Sequence, residues 1–432
     1  MRVLHLGKFF PPHPGGIERT CADLSAVLAA RGVDTAVLAH AEPGAHTSRT
    51  QVVADVDVTL AACHGQLLYA PVSPGFPWLL DRLIRRFRPD LLHIHMPNTS
   101  AFWALLLPSA RRIPWIVHWH ADIPLDSRRR GVRAAYRLYR PWEQALLRRA
   151  CAVIATSVPY RDSSTALAPW HANTRVIPLG LPPADTSPSP QPLPRRGGGA
   201  NSDAAATLSP LSARGRGANA DAAATLSPLS PRGRGAGERG SAALWPSDGL
   251  RLLAVGRLSY YKGFDILLRA LALTPDTSLV LVGHGECALP LRQLASELGI
   301  GARVTFAGHV DDDTLGGLYA RAELFCLPSI ERSEAFGLVL LEAMRARLPT
   351  IASDIPGSGV GFVVRNGETG LLVPPGDVAA LAAALQRMAT DADLRQRMGA
   401  AGERRWREEF TLDRAAERTL ALYREILDKR EV

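Results

Sequence analysis

The chain has 432 residues, 47% of them apolar, and a formal charge of +9. That is enough length and apolar surface for a soluble enzyme of two domains, each with a buried core. The positive excess is too diffuse for a nucleic-acid footprint, and no apolar run approaches the roughly 18 residues of a membrane span.

The N-terminus has no signal-like apolar core, so a cytoplasmic location is expected, with membrane contact at most peripheral. Cys21, Cys63, Cys151, Cys287 and Cys326 are odd in number and widely spaced, which points to buried thiols and away from disulfides or a metal site. Residues 2–6 read as a strand, and a loop, GKFFPPHPGGIER, leads into an amphipathic helix ending near Arg31. Gly15 and Gly16 precede that helix, where missing side chains let a phosphate or sugar approach the backbone. Their spacing is not that of a dinucleotide fingerprint, so no nicotinamide cofactor is expected.

Strands at 35–39, 90–95, 115–119 and 152–156 then alternate with helices at 76–87, 99–110, 127–149 and 159–168. Such alternation predicts a doubly wound parallel sheet, with ligands outside the carboxyl ends of its strands. Two of those ends carry histidines, His93 and His95 in DLLHIHMPN, and His118 and His120, followed by Asp122, in PWIVHWHADI. Two imidazoles on one face of a strand suit a metal, but hydrogen bonding at a strand end accounts for them equally simply, and no metal is expected. In the helix that follows, Arg129, Arg133, Arg137 and Arg140 share about 80° of arc at 100° per residue. They make either a solvated face or one that meets an anionic membrane or an acidic acceptor.

Residues 185–247 are dominated by Pro, Gly, Ala, Ser and Arg, and residues 200–217 recur almost unchanged as 218–235. The composition predicts a disordered insertion at a linker, between a domain at 1–184 and a second at 248–410. The second domain resumes with a strand at 252–255 that delivers Gly256, Arg257 and Lys262 to the mouth of a helix, a place for cations against a diphosphate. Strand follows strand through SLVLVGHGE, which holds Gly283 and Gly285, then RVTFAGHV, AELFCLPS and PTIASD. After the strand at 324–327, Glu334 lies in a loop and Glu342 in the helix that starts at Gly337, whose first-turn N–H groups form an anion site. At 1.5 Å per residue the two carboxylates would stand about 12 Å apart, near the length of a sugar nucleotide from hexose to ribose.

The Glu-x7-Glu of PSIERSEAFGLVLLEAM, with VGRLxxxKG and PPxxGGIE upstream, resembles the signature of retaining GT-B glycosyltransferases of the group-1, family-4 class. The resemblance covers nearly all of the chain outside 185–247. It implies two facing Rossmann-like domains, with the last helix, near 411–428, crossing back to the first. It implies transfer of a hexosyl unit from a nucleoside diphosphate sugar to a glycan or lipid-linked hydroxyl, with retention and without metal or other cofactor. Arg257 and Lys262 would clamp the diphosphate, aided by Gly16 and the backbone of Gly337, Leu338 and Val339. Glu342 would hold the ribose, with Gly283 near the base and ribose. Glu334 and His120 would face the hexose, His120 and Gly15 would face the acceptor, and His118 would be structural. The rival readings are a sugar-nucleotide epimerase of similar shape and a non-catalytic sugar-nucleotide-binding protein. A GT-A enzyme is disfavoured because Asp55-Val-Asp57 and Asp311-Asp-Asp313 do not end a buried strand.

Overall fold

The structure, a computed structural model, describes residues 1–67, 70–123, 130–183, 244–246 and 249–431. Most of the insertion at 185–247, with its repeat, lies outside the described residues, as does Arg129. Leu244 and Trp245 are described, and they pack against the core of the second domain. Within the expected insertion these two residues have apolar surface to bury, whatever the composition around them.

The first domain carries strands β1 (Arg2–Phe9), β2 (Asp34–His40), β3 (Arg49–Val53), β4 (Val56–Ala61), β5 (Gln66–Leu67), β6 (Ala70–Pro71), β7 (Leu91–Met96), β8 (Trp115–Trp119), β9 (Ala152–Ala155) and β10 (Thr174–Val176). Eight of them form one sheet in the order β10-β9-β8-β7-β1-β2-β4-β3, and β5 pairs only with β6. All neighbours in the large sheet are parallel except β3 and β4. That antiparallel edge was not expected. Its tight turn places Ala54 (φ 47°) and Asp55 (φ 61°) in the left-handed region, as a two-residue hairpin loop requires, with no glycine to announce it. Asp55 therefore lies in a hairpin turn, away from any buried strand end.

The second domain carries β11 (Leu250–Val255), β12 (Thr277–Val282), β13 (Val304–Gly308), β14 (Leu324–Leu327), β15 (Thr350–Ser353) and β16 (Gly370–Val373), all parallel, in the order β13-β12-β11-β14-β15-β16. Their near-continuous apolar runs suit strands covered on both faces. Strand order reverses beside β1 in one sheet and beside β11 in the other, which is where such folds open a crevice.

Helix Phe76–Phe87 forms as its periodicity predicts, with Phe76, Leu80 and Ile84 buried at four-residue spacing. The single helix expected at 99–110 is instead three short pieces, Thr99–Phe102, Trp103–Leu106 and Pro108–Arg111. Pro108 has no N–H and disfavours the helical conformation before it, and Leu107 is extended. The last helix, Leu412–Glu431, leaves the second domain and lies on the first. Its Ala416, Leu422, Tyr423 and Ile426 share an apolar cluster with Val3, Leu24, Leu28, Leu91 and Ile154. Each buried Leu or Ile of this set is worth about 1.5–3 kcal/mol, so this helix fastens the two domains together.

Candidate functional site

The loops at the ends of β11 and β14 meet at Gly263. It has a φ of 65°, and a Cβ there would lie 2.1 Å from the Pro328 carbonyl oxygen. The Ile330 N–H donates to the Tyr261 carbonyl at 2.8 Å, so the two loops are fastened backbone to backbone. The seam brings Lys262 to Glu334, Nζ to Oε2 2.5 Å, and Ser329 donates to the same oxygen at 2.9 Å. Both partners are nearly buried. Burial alone would lower the Lys262 pKa, but the Glu334 carboxylate outweighs it and holds the ammonium above its usual value.

Arg257 sits beside this pair with a side chain 59% exposed, and its nearest carboxylate, on Glu286, is 3.7 Å away. Gly283, at φ 134°, is required by close backbone packing: a Cβ would lie 1.9 Å from the Gly256 carbonyl oxygen. Gly285 stands in the same relation to Leu258.

Helix Leu338–Arg345 starts from Gly337, which adopts φ 82°, and no side chain caps it. Its first-turn N–H groups at Leu338 and Val339 therefore remain a site for an anion. Glu334 lies outside the helix, so the 1.5 Å rise that gave a 12 Å separation applies only from Leu338 to Glu342. Glu342 accepts from the Tyr319 hydroxyl at 2.8 Å and lies 3.7 Å from Arg19 of the first domain. Burial disfavours charge on Arg19, but Glu342 and Asp23 more than restore it.

Across the cleft, helix Gly16–Ala30 presents its N-terminus. A Cβ on Gly16 would lie 3.0 Å from Leu338, so the two helix starts approach each other from opposite domains. At Gly15 the absent side chain leaves room for the Glu18 carboxylate, which a Cβ there would displace. Burial raises the pKa of Glu18, opposed by Lys8. Lys8, at the end of β1, is itself lowered by burial, with the charge of Arg257 adding to the effect. Cations from both domains thus converge on the two helix starts.

His120, expected to face the hexose, lies at the end of β8. It is 5% exposed, and its Nε2 bonds His95 Nδ1 at 2.9 Å. It ends a run of five buried imidazoles. His5 Nδ1 bonds His95 Nε2 at 3.2 Å, His93 Nε2 bonds His118 Nδ1 at 3.2 Å, and His93 Nδ1 bonds the Tyr423 hydroxyl. Burial drives all five toward the neutral form, His5 and His118 to about 3. One nitrogen from each ring of His5, His93 and His95, or of His95, His118 and His120, lies within 4.8 Å of the others. The N–H···N bonds between rings are those of neutral imidazoles, while His5 Nε2, His118 Nε2 and His120 Nδ1 are buried without a hydrogen-bond partner among the described residues. His5 went unnoticed in the sequence, although it alternates with apolar residues on β1 and stands opposite His93. Arg19, Lys8 and Arg332 were also missed. Each lies in a stretch quoted above, GKFFPPHPGGIER or PSIERSEAFGLVLLEAM, but only the fold shows what it touches.

Comparison with known proteins fits this geometry. Residues 15–180 match the model for a glycosyl transferase 4-like domain, and residues 241–405 match that for glycosyl transferases group 1. O-antigen chain mannosyltransferase C of Escherichia coli is 28% identical over 440 residues, covering 100% of each chain. Among solved structures, sucrose-phosphate synthase from Thermosynechococcus elongatus superposes with a TM-score of 0.73 at 23% identity, over 99% of this chain and 100% of that one. Anabaena HepE in complex with UDP-glucose superposes with a TM-score of 0.69 at 20% identity, over 98% and 100%. With two parallel-sheet domains facing across a cleft and a matching family domain in each, the chain belongs to the group-1, family-4 glycosyltransferases and has the GT-B fold.

Proposed function

We propose that this glycosyltransferase moves a hexosyl unit from a nucleoside diphosphate sugar to a hydroxyl of a membrane-held glycan, with retention of anomeric configuration and without a divalent ion at the diphosphate. The observation that carries the reading is the convergence at Gly337. An uncapped helix start, the buried Lys262–Glu334 pair, the exposed Arg257 and the Gly16 helix start of the other domain meet there. In this reading Arg257, Lys262 and the N–H groups of Leu338 and Val339 take the charge of the leaving diphosphate, the work a metal does elsewhere. Glu342 holds the ribose. Glu334, freed in part when Lys262 turns to phosphate, orients the hexose, with His120 behind it. Gly15 lies toward the acceptor.

The acceptor side supports a peripheral place at the cytoplasmic face of a membrane. Arg133, Arg137 and Arg140 are exposed on helix Arg130–Arg149, and Trp78, Trp103, Leu106, Leu138 and Trp142 are exposed on it and its neighbours. Basic residues mixed with exposed tryptophan suit an anionic interface. No helix among the described residues is long and apolar enough to cross a membrane.

The E. coli relative is named a mannosyltransferase, and the HepE structure holds UDP-glucose, so GDP-mannose and UDP-glucose head the donor panel. The test is a thermal-shift screen of nucleotide sugars, followed by NMR of the product formed with the best donor. An α-linked product from an α-configured donor is expected. Inversion, or epimerisation of the donor without transfer, would overturn the reading.

A further inference from the structure

Arg332 lies two residues before Glu334, in a second-domain loop, yet most of its contacts are with the first domain. Its Nη1 pairs with Asp122 Oδ2 at 2.5 Å, Nε donates to Ser163 Oγ at 2.8 Å, and Nη2 donates to the Tyr160 carbonyl at 3.2 Å. The guanidinium also lies over the Tyr160 ring, 4.1 Å from its centre. Asp122 is fixed in turn by Trp119 Nε1 and Ser164 Oγ, each donating to Oδ1 at 2.7 Å. On the other side of Glu334, Ala335 is buried in the apolar cluster of the first domain with Trp119 and Tyr160. The residues flanking Glu334 are therefore anchored on the first domain, while its own carbonyl accepts from Ser358 Oγ and its carboxylate is held by Lys262 and Ser329, all of the second domain.

We infer that Arg332 is a positioning residue for the transfer reaction, one that makes the placement of the Glu334 carboxylate depend on contact between the two domains. The inference rests on the role proposed for Glu334 at the hexose. The donor contacts proposed at Arg257, Glu342 and the Gly337 helix start all belong to the second domain, so loss of the anchor leaves donor binding in place and moves only the carboxylate. A guanidinium fork and its stacking surface are required: an ammonium can keep the Asp122 contact but not the three others.

The experiment measures donor hydrolysis without acceptor, using GDP-mannose or UDP-glucose, whichever gives the larger thermal shift. It compares wild type, Arg332→Ala, Arg332→Lys, Glu334→Gln and the Arg332→Ala/Glu334→Gln double variant. Displacement of a reacting group by about 1 Å costs on the order of 100-fold, so Arg332→Ala is expected to lower kcat by roughly 10- to 100-fold, with donor KM changed by less than about threefold. Arg332→Lys recovers only part of the loss. In the Glu334→Gln background the same Arg332→Ala change lowers kcat by less than about twofold, because the group it positions is already gone. Wild-type kcat in Arg332→Ala, a loss confined to KM, or full additivity with Glu334→Gln would each overturn the inference. Wild-type kcat in Glu334→Gln would instead overturn the role of Glu334 itself. If Arg332→Ala does not fold, Asp122→Asn keeps the Trp119 and Ser164 hydrogen bonds while removing the ion pair. It is then expected to give a smaller loss of the same kind, and wild-type kcat there would refute the anchor.

Discussion

Replacing Lys262 with alanine tests the centre of the site, because the structure assigns the side chain two separable jobs. It neutralises Glu334 at 2.5 Å in nearly complete burial. Removing one partner of a buried pair leaves an uncompensated charge and costs about 3–5 kcal/mol of stability. With donor bound it is proposed to face the leaving diphosphate, where one lost charge-assisted contact costs about 2–4 kcal/mol, or roughly 30- to 1000-fold in turnover. Arg257 is the comparison: it is mostly exposed and loosely paired, so Arg257→Ala should lose turnover on the same scale with little change in melting temperature. The double variant Lys262→Ala/Glu334→Gln removes both charges and should regain much of the stability but none of the activity. The Lys262 pKa is raised in the folded chain, so its stabilising contribution is fully present below the ordinary lysine range and is lost only as pH rises through the raised value. At neutral pH the comparison is therefore free of titration. Denaturant unfolding and steady-state turnover on the same preparations decide it. Wild-type turnover in both Lys262→Ala and Arg257→Ala, or no loss of stability in Lys262→Ala, would refute the reasoning.

Burial, with the charge of Asp122 adding and the Tyr136 hydrogen bond opposing, raises the Glu143 pKa to about 7. A raised carboxyl contributes stability below its unfolded pKa and loses it as pH rises, so Glu143→Gln should match wild type near pH 4 and exceed it by up to about 3 kcal/mol above pH 7. Parallel melting curves across that range would sink the assignment. Transfer activity is expected to survive EDTA, and complete loss restored by manganese or magnesium would reopen a metal-assisted mechanism. Deleting residues 185–243 and joining the ends with a short Gly-Ser linker should leave activity nearly intact, since closure entropy depends weakly on loop length; an inactive but folded product would make the segment a functional module. Neutralising Arg129, Arg133, Arg137 and Arg140 removes about 1 kcal/mol each at an anionic surface. Vesicle binding at low salt should fall while donor hydrolysis stays constant, and unchanged binding would return that helix to an ordinary solvated face.

The sequence by itself determined the alternation of strand and helix, and with it two parallel sheets, because period and apolar run length report which faces are covered. It also put Arg257, Lys262, Gly337 and Glu334 at strand ends and a helix start, where a doubly wound fold opens its crevice. Local pattern was weaker where one residue decides an element, as Pro108 does in dividing a helix and Ala54-Asp55 does in closing a hairpin without glycine. Only the tertiary structure chose partners. Lys262 meets Glu334 from 72 residues away, Arg332 meets Asp122 from 210, and His5 joins His95 from 90. A charged side chain on a loop has the same local sequence whether it faces water or another domain. What selects its partner is the distance between two sheets brought together by a cleft and a returning helix, and no periodicity along the chain encodes that distance.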